Sequence, residues 1–213
     1  MRAVVFDLDG VLVDSEQQWD EVRRSVVAEH GGTWQDEATR ALQGMSTPEW
    51  SAYLVEELGT ALTPDEVAEK VVGEMGRRYS EGPPVLPGAV EAVRSVAEHF
   101  PVAIASSSPP TLIEHLLEAT GLTEHVPVVV SSEQVAAGKP APDVYLEAAS
   151  RLDVPPGECA AVEDSDSGLR AALAAGMTVY AVPNPHYPPD EQVVARASVV
   201  LDRIGDLPAA LGL

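Results

Sequence analysis

A chain of 213 residues that is 45% hydrophobic has material for one large domain or a domain carrying an insert, which excludes a mainly disordered polypeptide. Its formal net charge of −21 sets it against nucleic acid and anionic membrane surfaces, so neither is an expected partner. The single cysteine, Cys159, excludes an intramolecular disulfide and a cysteine-based zinc cluster.

Ala3 to Phe6 reads as a short buried strand, with no leader-like apolar segment before it. No apolar run approaches the length of a membrane span, so a soluble, cytoplasmic protein is expected, a monomer or weak dimer. From Glu16 to Tyr79 the pattern is helical. Ser15 can cap a first helix carrying Trp19, Val22, Val26 and Val27 on one face and ending near Gly31-Gly32. A second helical segment runs from Gln35 to Leu42. Ser46-Thr47-Pro48-Glu49 and Thr63-Pro64-Asp65-Glu66 are helix starts, the first with the spacing of a capping box. Glu81-Gly82-Pro83-Pro84 is a linker signal.

Beyond it strands and helices alternate. Helices are expected over Ala89–His99, from Pro109-Pro110 to Gly121, over Pro142–Leu152 and over Ser167–Ala175. Strands are expected over Pro101–Ala105, Val126–Val130, Cys159–Val162, Thr178–Val182 and Ser198–Leu201. Short apolar strands between amphipathic helices specify a parallel sheet covered on both faces. The fold class is therefore α/β: a three-layer, Rossmann-like core from residues 1–14 and 83–213, with an all-helical insert over residues 15–82. Ligands of such sheets sit at the carboxyl ends of the strands.

The chemistry-bearing residues cluster at those ends. Asp7 and Asp9, followed by Gly10, close the first strand with no basic residue nearby in sequence. Paired carboxylates beyond a buried strand call for a cation, and Mg²⁺ suits oxygen donors. Ser106, Ser107 and Ser108 follow the second strand and precede a helix, a favourable place for an anion. Lys139, one of only two lysines, follows the third, and Glu163 and Asp164 end the fourth. Singly, each has a plain reading as a turn, a helix cap or a solvated side chain. Together they converge on one edge of one sheet.

The ordered set Asp7-x-Asp9-Gly10, Ser106, Lys139-Pro140 and Glu163-Asp164-Ser165 resembles the haloacid dehalogenase (HAD) superfamily of phosphotransferases, most closely its branch with a helical cap inserted after the first motif. The resemblance spans essentially the whole chain. It implies that Asp7 is a nucleophile forming an aspartyl-phosphate, and that Asp9 is the general acid and then the base. It implies that Ser106, with Ser107, binds phosphate and that Lys139 steadies both nucleophile and phosphoryl group. Mg²⁺ would be held by Asp7, the Asp9 carbonyl, Asp164 and Glu163, and the substrate would be a small phosphorylated metabolite.

Within the family, Asp9 argues for phosphorus chemistry over dehalogenation. The only lysine in the insert is Lys70, in its last helix, which disfavours a phosphonate-cleaving Schiff base. A sugar phosphomutase of the β-phosphoglucomutase type is the main rival. Thr47, Trp19 and Pro109-Pro110 stand where that branch has an arginine, a histidine and Lys-Asn for its second phosphate, with Arg40 a possible substitute. These departures favour a phosphatase. An inactive binding module is the remaining alternative. Glu16, Trp19, Met45 and Trp50 are the candidates to face the substrate from the cap, although bundle packing is the simpler reading of both tryptophans.

Overall fold

The computed structural model describes residues 1–42 and 44–213. In chain order the elements are β1 (Ala3–Phe6), α1 (Glu16–Glu29), α2 (Ala38–Ala41), α3 (Thr47–Glu56), α4 (Pro64–Glu81), α5 (Ala89–Ala97), β2 (Val102–Ser106), α6 (Pro110–Thr120), β3 (Val128–Ser131), α7 (Asp143–Arg151), β4 (Cys159–Glu163), α8 (Asp166–Ala174), β5 (Thr178–Ala181), α9 (Glu191–Val194), β6 (Val199–Val200) and α10 (Leu207–Ala210). The strands form one parallel sheet in the order β3-β2-β1-β4-β5-β6. Every residue of β1, β2 and β4 is buried, as strands with helices on both faces require.

Alternate strand residues feed two cores. Val4, Phe6, Ile104 and Val162 pack towards α5 and α6, whereas Val5, Ala103, Ala105 and Ala161 pack towards α7 and α8. The second core is rich in alanine, which lets α7 and α8 approach the sheet closely.

Helices α1–α4 lie between β1 and α5 in the chain and bury a third cluster, in which Trp19, Leu54, Val71 and Met75 meet. We call this group the cap. Leu112 of α6 enters the same cluster and fastens the cap to the core. The two chain passages between cap and core run side by side: Asp14 N–H donates to Pro84 O (2.8 Å) and Leu86 N–H to Leu12 O (2.9 Å).

Local signals explain most helix starts. Glu49 and Glu66 both accept from their N-cap backbones, completing capping boxes with Ser46 and Thr63. The helix after β4 begins one residue before Ser167, because Ser165 caps it by accepting from Gly168 N–H (3.1 Å). The segment expected to be helical from Gln35 to Leu42 shrinks to the single turn of α2, which has no side-chain cap. Ser15 occupies the N-cap position of α1 but does not cap it with its hydroxyl; that group is used elsewhere.

Candidate active site

The sheet's order reverses about β1, which leads to β2 on one side and has β4 on the other. A crevice therefore opens at their carboxyl ends. Asp7 is the first residue beyond β1, Glu163 the last of β4 and Asp164 the next. Oxygens of these three buried carboxylates lie within 4.8 Å of one another.

Lys139, from the loop after β3, is buried among them. Its Nζ donates to Asp7 Oδ1 (2.6 Å) and Glu163 Oε1 (2.7 Å). Tyr145 of α7 donates to the same Glu163 oxygen (2.8 Å). Glu163 Oε2 accepts from Asp164 N–H (3.0 Å), Ser165 N–H (3.2 Å) and the Ser165 hydroxyl (3.1 Å). Both Glu163 oxygens are thus already engaged. Asp164 Oδ1 is buried with no partner.

Three carboxylates against one ammonium leave excess negative charge in a dry place, which is costly unless a further cation answers it. Burial pushes the Asp7 carboxyl well above its usual range against the pull of Lys139, with Glu163 and Asp9 adding to the rise. Burial likewise raises Asp164, reinforced by Glu163 and Asp7. Burial opposes the charge on Lys139, but Asp7 and Glu163 outweigh it and hold the ammonium above its ordinary value. Hard oxygen donors, an unpartnered Asp164 oxygen and excess negative charge fit a divalent cation such as Mg²⁺. Glycine at position 10 is required here: with φ +83°, any Cβ would collide with the Asp164 carboxylate.

Asp9 is held apart from this cluster. Its Oδ1 accepts from the Ser15 hydroxyl and from Trp19 Nε1 (3.2 Å), and its Oδ2 from the Ser108 hydroxyl (2.6 Å). This accounts for Ser15 leaving α1 uncapped. It also moves Ser108 away from helix capping; Pro109 takes the N-cap position of α6.

Ser106 falls outside the cavity's lining. It ends a central strand, is fully buried, and its hydroxyl accepts from Ser108 N–H (3.0 Å). Ser107 and Ser108 reach the cavity instead. Ser107 also spans to the cap, donating to Gly44 O (3.0 Å).

The cavity lies between sheet edge and cap and holds about 50 Å³ of free volume. Asp7, Asp9 and Lys139 line its floor, and Glu16, Trp19, Met45 and Trp50 its cap side. The two tryptophans both pack the cap, with centroids 6.2 Å apart, and border the cavity. Arg40 is exposed and Thr47 is buried in the cap; neither is among the described residues that line the cavity.

Two residues of the site escaped sequence reasoning. Tyr145 had no local signal, since its partner is eighteen positions away across the fold. Arg23 had one: it lies four residues after Trp19 on the buried face of α1, where a charge is out of place.

No helix among the described residues is long and apolar enough to cross a membrane. Residues 1–176 match the family model of haloacid dehalogenase-like hydrolases. The chain is 34% identical over 214 residues to hexitol phosphatase B of Escherichia coli (strain K12), covering 97% of this chain and 94% of that protein. It is 34% identical over 176 residues to the same organism's fructose-1-phosphate phosphatase YqaB, covering 82% of this chain and 92% of the relative. Among solved structures, CbbY from Rhodobacter sphaeroides in complex with phosphate superposes with a TM-score of 0.88 at 27% identity, over 100% of both chains. With the motifs at one edge of a six-stranded parallel sheet, these matches show that the chain belongs to the haloacid dehalogenase-like hydrolases.

Proposed function

We propose that this hydrolase is a Mg²⁺-dependent phosphatase that cleaves the phosphomonoester of a small sugar or polyol phosphate through an aspartyl-phosphate on Asp7. The observation that carries the reading is the division of labour between two aspartates two residues apart. Asp7 sits against Lys139, whereas Asp9 is turned towards Ser15, Trp19 and Ser108.

Asp7 uses a carboxylate oxygen to attack phosphorus while the bond from phosphorus to the ester oxygen breaks. Asp9, protonated at that stage, gives its proton to the leaving oxygen. The resulting Asp9 carboxylate then takes a proton from water, which attacks the same phosphorus and frees inorganic phosphate and Asp7. Lys139 keeps the Asp7 carboxylate oriented and offsets part of its charge. Ser107 and Ser108 line the cavity, and their hydroxyls, which donate to Gly44 O and Asp9 Oδ2, must turn to donate to phosphoryl oxygens. Asp7, Asp164 and the Asp9 carbonyl would hold Mg²⁺, with Glu163 behind them. Bound there, the ion supplies positive charge to the transferring group.

The sugar or polyol class is supported by the names of two relatives, a hexitol phosphatase and a fructose-1-phosphate phosphatase. The reading keeps the cytoplasmic location expected from the sequence. Trp19 donating to Asp9, and Thr47 buried away from the cavity, speak against a mutase's second phosphate site. The test is phosphate release from a panel of hexitol and hexose monophosphates with Mg²⁺ and with chelator. Chelator-sensitive release of inorganic phosphate is expected. Isomerised sugar phosphate without free phosphate would indicate a mutase, and no reaction with any ester would leave only a binding module.

A further inference from the structure

The cap side of the cavity holds a charge that the proposed mechanism does not use. Arg23 is only 8% exposed and lines the cavity. Its guanidinium lies over the rings of Trp19 (4.8 Å to the centroid) and Trp50 (5.1 Å). Its Nε is buried with no hydrogen-bond partner. Two acids nearby on α1 are engaged with other arginines, Asp20 with Arg24 (2.5 Å) and Glu21 with Arg78 (3.0 Å). Burial lowers the Arg23 pKa to about 10, against the opposing pull of Glu16, Asp9 and Asp20.

A desolvated guanidinium with unused donors, facing a cavity, is a recognition group awaiting a ligand. Glu16 lies on the same wall. Burial raises its carboxyl to about 7, Asp9 adds to the rise, and Arg23 opposes it. The wall therefore offers donors from Arg23 and acceptors from Glu16 beside two indole rings. A second anionic group on the substrate would meet Glu16 and Asp9 as well as Arg23. A neutral polyhydroxylated chain meets no such conflict, and its C–H faces suit the indoles.

We propose that Arg23 is the specificity-determining residue of the cap, donating to hydroxyl oxygens at the end of a sugar or polyol phosphate remote from its phosphate while Glu16 accepts from the hydroxyl hydrogens. This rests on the phosphatase reading above and deepens it.

The test compares kcat and KM of the wild type, Arg23→Met and Arg23→Lys on a hexitol phosphate, a phosphorylated short hydroxy acid and an aryl phosphate. For Arg23→Met, kcat/KM on the hexitol phosphate is expected to fall at least about 30-fold, mainly through KM. That loss is expected to exceed the loss on the aryl phosphate at least tenfold. Arg23→Lys, lacking the planar fork, is expected to recover less than half of the loss on a logarithmic scale. Equal losses on hexitol and aryl phosphates would overturn the proposal in favour of a packing role. A loss confined to the phosphorylated acid would overturn it in favour of anion recognition. If Arg23→Met does not fold, Glu16→Gln probes the same subsite: a loss larger on the hexitol phosphate than on the aryl phosphate supports the proposal, and equal losses overturn it. A wild type inactive on every ester would bring down the phosphatase reading and this proposal together, whereas an active wild type with unselective variants brings down this proposal alone.

Discussion

The floor of the cavity and its cap wall handle buried charge in opposite ways. On the floor, Lys139 and Glu163 come from opposite flanks of the sheet and meet beside Asp7, and each oxygen of Glu163 has donors. On the wall, Arg23 stands on one helix between aromatic rings with an unanswered Nε. The floor is built by topology, since parallel strands bring distant residues to one edge. It suits the phosphoryl group, which every phosphomonoester shares. The wall is built by the periodicity of α1, which puts Glu16, Trp19 and Arg23 on one side of a helix. It suits the part of the substrate that varies. Changes on the floor should therefore affect all substrates alike, and changes on the wall should discriminate among them.

The largest break is Asp7→Asn. Turnover on every ester is expected to fall by at least about 10³-fold, as happens when a nucleophile is removed. The fold is expected to persist, which a cooperative thermal unfolding transition would show. Next is Asp164→Ala. The Mg²⁺ concentration for half-maximal activity is expected to rise at least about tenfold, read by titrating activity against Mg²⁺. Then comes Tyr145→Phe, which removes a hydrogen bond to a buried carboxylate and leaves no donor in its place. A loss of about 1–3 kcal/mol in stability is expected by denaturant unfolding, with a similar proportional loss of kcat/KM on all esters.

The smallest effect sharpens the wall. The Glu16 carboxyl is raised from 4.5 to about 7 in the fold, so folding favours its protonated form. Its contribution to stability is fully present below pH 4.5 and declines as pH rises through 7. Glu16→Gln removes that dependence. Relative to wild type, the variant should therefore gain about 1–3 kcal/mol between pH 5 and pH 8, measured by denaturant melts at both.

Much of the floor was legible in the sequence because its residues follow apolar strands, and apolar runs mark strand ends well. The two capping boxes were legible for a similar reason, since Ser46 with Glu49 and Thr63 with Glu66 interact within one turn. What escaped depends on contacts between distant segments. Ser15 and Ser108 have the chemistry of helix caps, yet both turn to Asp9, a stronger acceptor that only the folded chain brings near. Ser106, at the end of β2, accepts from Ser108 N–H and stands behind the cavity lining, to which Ser107 and Ser108 contribute, an arrangement set by the local backbone rather than by residue type. The single turns α9 and α10 are too short for a helical period to register. Arg23 could have been found, because an arginine four positions after a buried tryptophan is a charge on an apolar stripe.

The central claim is that Asp7 itself receives the phosphoryl group. Acid quenching of wild-type protein during turnover of a reactive aryl phosphate with Mg²⁺, followed by peptide mass analysis, tests it most directly. The account predicts one phosphoryl group on the peptide containing Asp7, at the Asp7 side chain, and none in Asp7→Asn. Rapid phosphate release with the phosphoryl group trapped on another residue, or undiminished release by Asp7→Asn, would contradict it.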